Sequence, residues 1–273
     1  MDRTLYLNEA KGIEIVRDGP SLLVKESGKA NRRIPVRLIG RVFISGNVKL
    51  ESGVFSLLAE NQIPVMLMSV SGDNGSVCLP YNDRLPLYYD KQRIFIETED
   101  NVSRFKAFCV SWRKRFQIEA LTIMAKTQAQ SFLEEGIKES EYCQAMAGYF
   151  TAYERQIKTV RRIVSNLSRG LIVEMLVKAR LDPHMGVVHR RQNFGFALDI
   201  SYILSPETDL QCVIFLQSCK GNNIDINSIH GGCGLRDVMR DIAGRYEGRR
   251  KRLGEKIELI IDDLFSLMRE LGA

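Results

Sequence analysis

Near residue 80 the hydrophobic pattern changes from short segments punctuated by turn formers to long segments with few breakers, and that change divides the chain. Alternation with a period of two suits a half-buried strand, whereas a period near 3.6 suits an amphipathic helix, and one segment cannot serve both. Before the change, Thr4–Leu7, Ile13–Val16, Ser21–Lys25, Arg41–Ile44, Val65–Met68 and Val77–Leu79 are predicted strands. Asp18-Gly19-Pro20, Ser27-Gly28, Ser45-Gly46-Asn47 and the Ser71–Gly75 stretch are the predicted turns, and Gly53–Glu60 is the one predicted helix among them. Such spacing predicts a small β-sandwich or rolled sheet over residues 1–80. Pro80 and Pro86 make residues 81–90 a linker. Beyond it, Lys91–Ser131, Lys138–Ile163 and Ser168–Ala179 read as helical. A closing helix carries Ile257, Ile260, Ile261, Leu264, Leu267, Met268 and Leu271 as a stripe suited to a core or a dimer seam. The predicted class is α+β, an N-terminal small β-domain followed by an all-α domain over residues 91–273.

Charge narrows the partner. The net charge is +6, and residues 1–90 carry 11 Lys and Arg against 10 Asp and Glu, so the excess lies mostly in the second part. It clusters there at Arg113-Lys114-Arg115, at Arg155, Lys158, Arg161 and Arg162, and at Arg245 and Arg249–Arg252. Positions 155, 158 and 162 share one helix face. Each cluster alone suits a solvated face, but three in one half point to a polyanion. Arg155, Lys158, Arg162, Arg249 and Arg250 are the candidate DNA-binding residues. The six cysteines, at 78, 109, 143, 212, 219 and 233, form no Cys-x-x-Cys pair and read as buried thiols of a cytoplasmic protein. No signal core and no membrane span is evident. Without a Gly-x-Gly-x-x-Gly, a phosphate loop or a nucleophile elbow, a small-molecule enzyme is the least favoured class.

The chemistry concentrates in Leu181-Asp182-Pro183-His184-Met185-Gly186-Val187-Val188-His189, followed by Asp199 inside the Phe196–Tyr202 stretch. An Asp-Pro turn and a short loop bring a histidine near a carboxylate. A satisfied structural pair is the plainer outcome of such a pairing; a divalent-metal ligand set is the functional one. The extended pattern, Leu-Asp-Pro-x-x-Gly-x-x-His and then Ala-Leu-Asp, resembles the CRISPR-associated integrase family, the Cas1 proteins. Arg32-Arg33-Ile34-Pro35, the Arg41–Gly46 run and the Ile63–Gly72 run look like that family's β-domain, in the same order.

The resemblance implies a metal, Mg²⁺ or Mn²⁺, held by a glutamate from one helix, the histidine of the loop and an acidic residue of the next helix. His189 falls at its place. Glu141 is the candidate glutamate, one residue before the position that the Tyr149-Phe150 pair marks, which is Tyr142. The third position is Tyr202, so Asp199, one turn earlier, is the candidate acid. Arg180 stands where the family has glycine. The implied activity is attack of a DNA 3′-hydroxyl on a phosphodiester, which inserts spacer DNA into a CRISPR array. The implied partners are double-stranded and branched DNA bound with little sequence preference, a second copy of the chain joined through the β-domain, and the small Cas2 protein. The tyrosines leave open a catalytically degenerate DNA-binding paralogue, and a repair-type nuclease of branched DNA also fits.

Overall fold

Val, Ile and Leu recur at alternate positions in the first part of the chain, and strands form there. The computed structural model describes residues 3–69, 75–80, 85–124, 136–221 and 232–272. They fall into two compact units, Met1–Arg84 and Leu85–Ala273. The first holds β1 (Arg3–Asn8), β2 (Glu14–Asp18), β3 (Ser21–Lys25), β4 (Arg32–Pro35), β5 (Ile39–Ser45), β6 (Lys49–Leu50), α1 (Ser52–Glu60), β7 (Val65–Met68) and β8 (Gly75–Cys78). One sheet runs β1-β5-β7-β8 and the other β4-β3-β2-β6. β5 is parallel to both β1 and β7, and its residues are buried almost throughout, as a central parallel strand requires. β2 and β3 form a hairpin with Ile15 opposite Val24, and Gly19 opens its turn in the left-handed region at φ 59°. Leu7, Ile15, Leu22, Val42, Val54, Leu58 and Val65 close a single core with α1.

Two strands escaped the sequence pattern. β4, Arg32–Pro35, carries two exposed arginines and ends in proline, a composition tolerated because it lies at a sheet edge. β6 is only two residues long and is held by parallel pairing to β2. The result is two four-stranded sheets where six strands were expected. Residues 71–74 of the expected Ser71–Gly75 turn and residues 81–84 of the expected linker lie outside the described residues.

The second unit holds α2 (Tyr89–Glu97), α3 (Glu99–Met124), α4 (Glu139–Phe150), α5 (Glu154–Lys178), α6 (Gly195–Ile203), α7 (Ser205–Gly221) and α8 (Gly232–Glu270). The expected Lys91–Ser131 segment is divided into α2 and α3, and the Lys138–Ile163 segment into α4 and the start of α5. α5 runs unbroken through residues 164–167, the gap between the expected helical segments Lys138–Ile163 and Ser168–Ala179. Val160, Ile163, Val164, Leu167, Leu171 and Ile172 bury one side of it, and packing of that kind overrides weak propensity. The α8 stripe from Ile257 to Met268 is spent in the same core, with α5 and α2 packed against α8. Cys109, Cys212 and Cys219 are buried, whereas Cys78 and Cys143 are exposed, which corrects the expectation that all six thiols are interior. Among the described residues no helix is long and apolar enough to cross a membrane.

Phe95 of α2, Phe105 of α3 and Phe196 of α6 have no exposed surface and meet with centroids 4.9 to 6.4 Å apart. This trio seats α6 against the two helices before it. Phe196→Ala is expected to cost about 3–5 kcal/mol of unfolding free energy by chemical denaturation. Phe196→Leu, which retains most of the volume, is expected to cost less. An Ala variant as stable as the parent would remove the trio from the supports of this unit.

Candidate functional site

The loop carrying His189 is built by backbone constraints on both sides. α5 ends with Arg180 at φ 57° and with hydrogen bonds from Leu181 N to Leu176 O and from Arg180 N to Val177 O, both 2.9 Å. This is the left-handed closure that favours glycine, the residue that the resemblance implies at the Arg180 position. Buried Gln92 then clamps the Asp182 backbone, donating to its carbonyl at 2.9 Å and accepting from its N–H at 2.8 Å. Pro183 O accepts from the N–H groups of Phe196 and Ala197, two of the open donors at the start of α6. Gly186 and Gly195 lie back to back. A Cβ on Gly195 would fall 2.4 Å from His189 O, so the loop closes on α6 only without a side chain there.

Asp199 locks this loop. Its side chain is wholly buried, and Oδ2 accepts from Val187 N at 2.7 Å and Val188 N at 3.2 Å. Oδ1 accepts from His189 N at 3.1 Å and meets His189 Nδ1 at 2.6 Å. Four donors converge on one carboxylate. With Nδ1 turned to Asp199, the ring presents Nε2 to a cleft of about 300 Å³ lined by Ser168 and Arg169 of α5, Tyr202 of α6, and Ser205 and Thr208 of α7.

Behind Tyr202 stands a network of charged groups in which Arg113 and Asp209 are buried and their partners Glu139 and Arg161 are exposed. The Arg113 guanidinium lies 4.5 Å from the Tyr202 ring centroid and donates to Tyr202 O at 2.8 Å and to Ser205 Oγ. Its other edge grips Glu139 through Nε at 3.1 Å and Nη2 at 2.7 Å, while Gln117 donates to Glu139 at 2.7 Å. Burial opposes the Arg113 charge, but the bond to Glu139 and that residue's charge outweigh it and raise its pKa. Tyr142 belongs to a hydrophobic cluster with Leu121, Met146 and Val213, and its hydroxyl donates to Asp209 at 3.0 Å. Burial first, and the Asp209 charge second, push the Tyr142 phenol up, so it remains a neutral donor. Asp209 also pairs with Arg161; burial nevertheless raises its pKa.

The three candidate ligands do not meet. His189 and Asp199 are adjacent, but the four bonds on Asp199 assign it to orienting the loop. Asp199 and Tyr202 also diverge, because Asp199 turns under the loop while Tyr202 is 40% exposed at the cleft. Glu141 reaches back to accept from Lys138 N at 2.9 Å, the capping box of α4. Among the described residues no three His, Cys, Asp or Glu side chains converge where a metal could sit. Glu141, His189 and Asp199, the set that the resemblance implies for Mg²⁺ or Mn²⁺, are therefore not brought together as a group of three among the described residues. Sequence reading missed Glu139, Gln117 and Arg169, and it took Arg113 only as part of a surface-like cluster.

The basic residues divide. Lys158 is exposed and pairs with no acid among the described residues, and Arg162 Nε donates to Lys158 O at 3.3 Å. The side chain of Arg155 lies outside the described residues. In the C-terminal cluster Arg250 pairs with Glu247, Arg245 with Asp241 and Arg252 with Glu119, which compensates most of that charge internally; Arg249 is half-buried.

Residues 5–169 match the family described as CRISPR associated protein Cas1. No curated protein matches the chain in sequence. A CAS1 protein from Thermotoga maritima superposes with a TM-score of 0.74 at 16% identity, covering 98% of this chain and 97% of that one. A TtCas1 in complex with DNA superposes at 0.62 and 15% identity, covering 94% and 91%. A Cas6-RT-Cas1–Cas2 complex contains a chain of which 28% matches 80% of this one, at a TM-score of 0.61 and 13% identity. These structural likenesses share the fold.

The Arg113 hydrogen bond, more than any other neighbour, holds the Glu139 carboxyl below the ordinary carboxylate range. A depressed carboxylate contributes its full stability above the pKa of the unfolded chain and loses it as pH falls through the folded value. Glu139→Gln is therefore expected to flatten the acid limb of a melting-temperature profile between about pH 5 and pH 3. Parallel profiles for parent and variant would mean that the pair does not stabilise the fold.

Proposed function

Because this chain belongs to the CRISPR-associated Cas1 family, whose general chemistry is that of nucleases and integrases, we propose that it is a DNA-binding member whose own cleft has lost metal-dependent strand transfer. The observation that carries this reading is the pair of tyrosines, Tyr142 and Tyr202, at the two positions where the resemblance expects carboxylates. Hard divalent cations gain most of their affinity from charged oxygens, and a tyrosine supplies no carboxylate charge. The fixed Arg113 guanidinium over Tyr202 adds repulsion that a divalent ion would have to overcome.

DNA binding rests on other residues. Lys158 and Arg162 sit four apart on α5, and phosphate contacts from such a face are tolerant of sequence and sensitive to salt. The DNA complex of the structurally similar TtCas1 supports DNA as the partner, and the Cas1–Cas2 complex supports a Cas2-type protein beside it. A homodimer joined through the first unit completes the proposal. In such an assembly this chain holds and positions DNA without joining it.

Nicking and 3′-end joining on a supercoiled plasmid, in Mn²⁺, Mg²⁺ or EDTA, test the reading. The expected result is DNA bound equally under all three conditions with no product above background. Nicking or joining that needs Mn²⁺, stops in EDTA and disappears in His189→Ala would overturn it. Charge reversal at Lys158 and Arg162 is expected to weaken binding to unrelated sequences alike and to lower the slope of log affinity against log salt by about two. An unchanged slope would reduce the stripe to a solvated face.

A further inference from the structure

The cleft in front of His189 is lined by one guanidinium, several hydroxyls and no acidic side chain. Arg169 stands exposed at its rim and pairs with no acid among the described residues. Desolvation by the surrounding packing lowers its pKa, yet a guanidinium keeps its charge throughout the physiological range. Ser168 and Thr208 are buried in the wall. Ser205 Oγ accepts from Arg113, which leaves its own proton free to point into the cleft and places a second guanidinium behind it. Ser201, by contrast, spends its proton on Ala197 O at 2.7 Å. A site for a cation would show the opposite pattern, with carboxylate oxygens turned inward.

We infer that this cleft is a metal-independent site for a phosphoryl group, with Arg169 as its principal cation and Ser168, Ser205 and Thr208 as hydroxyl donors. The guanidinium fork matches two oxygens of a tetrahedral phosphoryl group, and hydroxyls can take the remaining ones. Arg169 lies seven residues after Arg162, two turns along the same face of α5, so the basic stripe leads to the mouth of the cleft. The inference rests on the proposed loss of the metal site, since a bound divalent ion would demand acidic partners here. Free phosphate, a 5′-terminal phosphate and an internal phosphodiester share the chemistry and differ in size.

The experiment uses the whole chain in EDTA. Inorganic phosphate is titrated against the parent, Arg169→Gln and Arg169→Lys, read by melting temperature and calorimetry. Duplex oligonucleotides with a 5′-phosphate or a 5′-hydroxyl are titrated in parallel. Phosphate is expected to raise the parent's melting temperature, less so for Arg169→Lys, and to bind Arg169→Gln about tenfold more weakly or not at all. Tighter binding of the 5′-phosphorylated duplex by the parent alone identifies a terminal phosphate. Equal binding of both duplexes, weakened alike by Arg169→Gln, identifies an internal phosphodiester. No effect of phosphate on the parent, an undiminished effect in Arg169→Gln, or an effect that requires Mn²⁺ overturns the site. Without phosphate the variants are expected to melt like the parent, because Arg169 is exposed. A negative phosphate result with no Mn²⁺-dependent nicking removes this site alone, whereas nicking in Mn²⁺ removes the functional reading on which it rests.

Discussion

One buried carboxylate organises the cleft. Asp199 has no exposed side-chain surface and accepts four hydrogen bonds, three from consecutive backbone N–H groups and one from the His189 ring. An acid so placed is costly unless its lone pairs are filled, and here the loop fills them. The dependence runs both ways. The loop has this shape because α6 presents an acceptor beneath it, and α6 can approach because Gly186 and Gly195 leave room for backbone against backbone. The Phe95–Phe105–Phe196 trio then seats the N-terminal turn of α6 on α2 and α3. The orientation of His189 is the product of this scaffold.

Around that scaffold the sign of the charge decides what can bind. Glu139 is consumed by Arg113 and Gln117, Asp209 by Tyr142 and Arg161, Glu141 by its helix cap, and Asp199 by the loop. Each of these four carboxylates is thus committed to a protein donor among the described residues. The polar lining of the cleft is His189, Gln192, the Arg169 guanidinium and hydroxyls. Arg113 contributes from behind. It is a permanent cation, and its bonds to Tyr202 O, Ser205 and Glu139 join α3, α4 and α6–α7. That sign of charge suits the phosphoryl group proposed for the cleft.

Much of this could be read from the residues. The change of hydrophobic period located the β and helical parts, and the His189–Asp199 proximity followed from the Asp-Pro turn and the loop length. The edge strand β4 was obscured by its arginines and proline, and β6 by its two-residue length. The continuity of α5 was hidden because local propensity at Ser165–Ser168 says nothing of the burial of Ile163, Leu167 and Leu171. The role of Asp199 was hidden for a different reason. Acceptors carry no mark of which donors fill them, and three of its four donors are backbone groups that no side-chain pattern records. The Arg113–Glu139 pair spans 26 residues and two helices, beyond any local period.

Arg180 shows which requirement this chain has kept. At φ 57° a side chain is strained where a glycine would not be, yet the turn from Leu176 to Leu181 retains its left-handed closure and its two hydrogen bonds. The strain of a non-glycine residue there, of the order of 1 kcal/mol, is tolerated because Gln92 and the Asp199 network determine the course of the loop from both ends. The backbone geometry that delivers His189 to the cleft is therefore preserved against a local penalty. At the two positions where the resemblance implies carboxylates the chain has Tyr142 and Tyr202. A chain selected only to fold would have no use for an oriented histidine at the mouth of a polar cleft, and a chain that worked through a divalent ion would need the charged oxygens. The proposed phosphoryl site accounts for both, since it needs the shaped loop and a cation in the lining, and Arg169 supplies the cation.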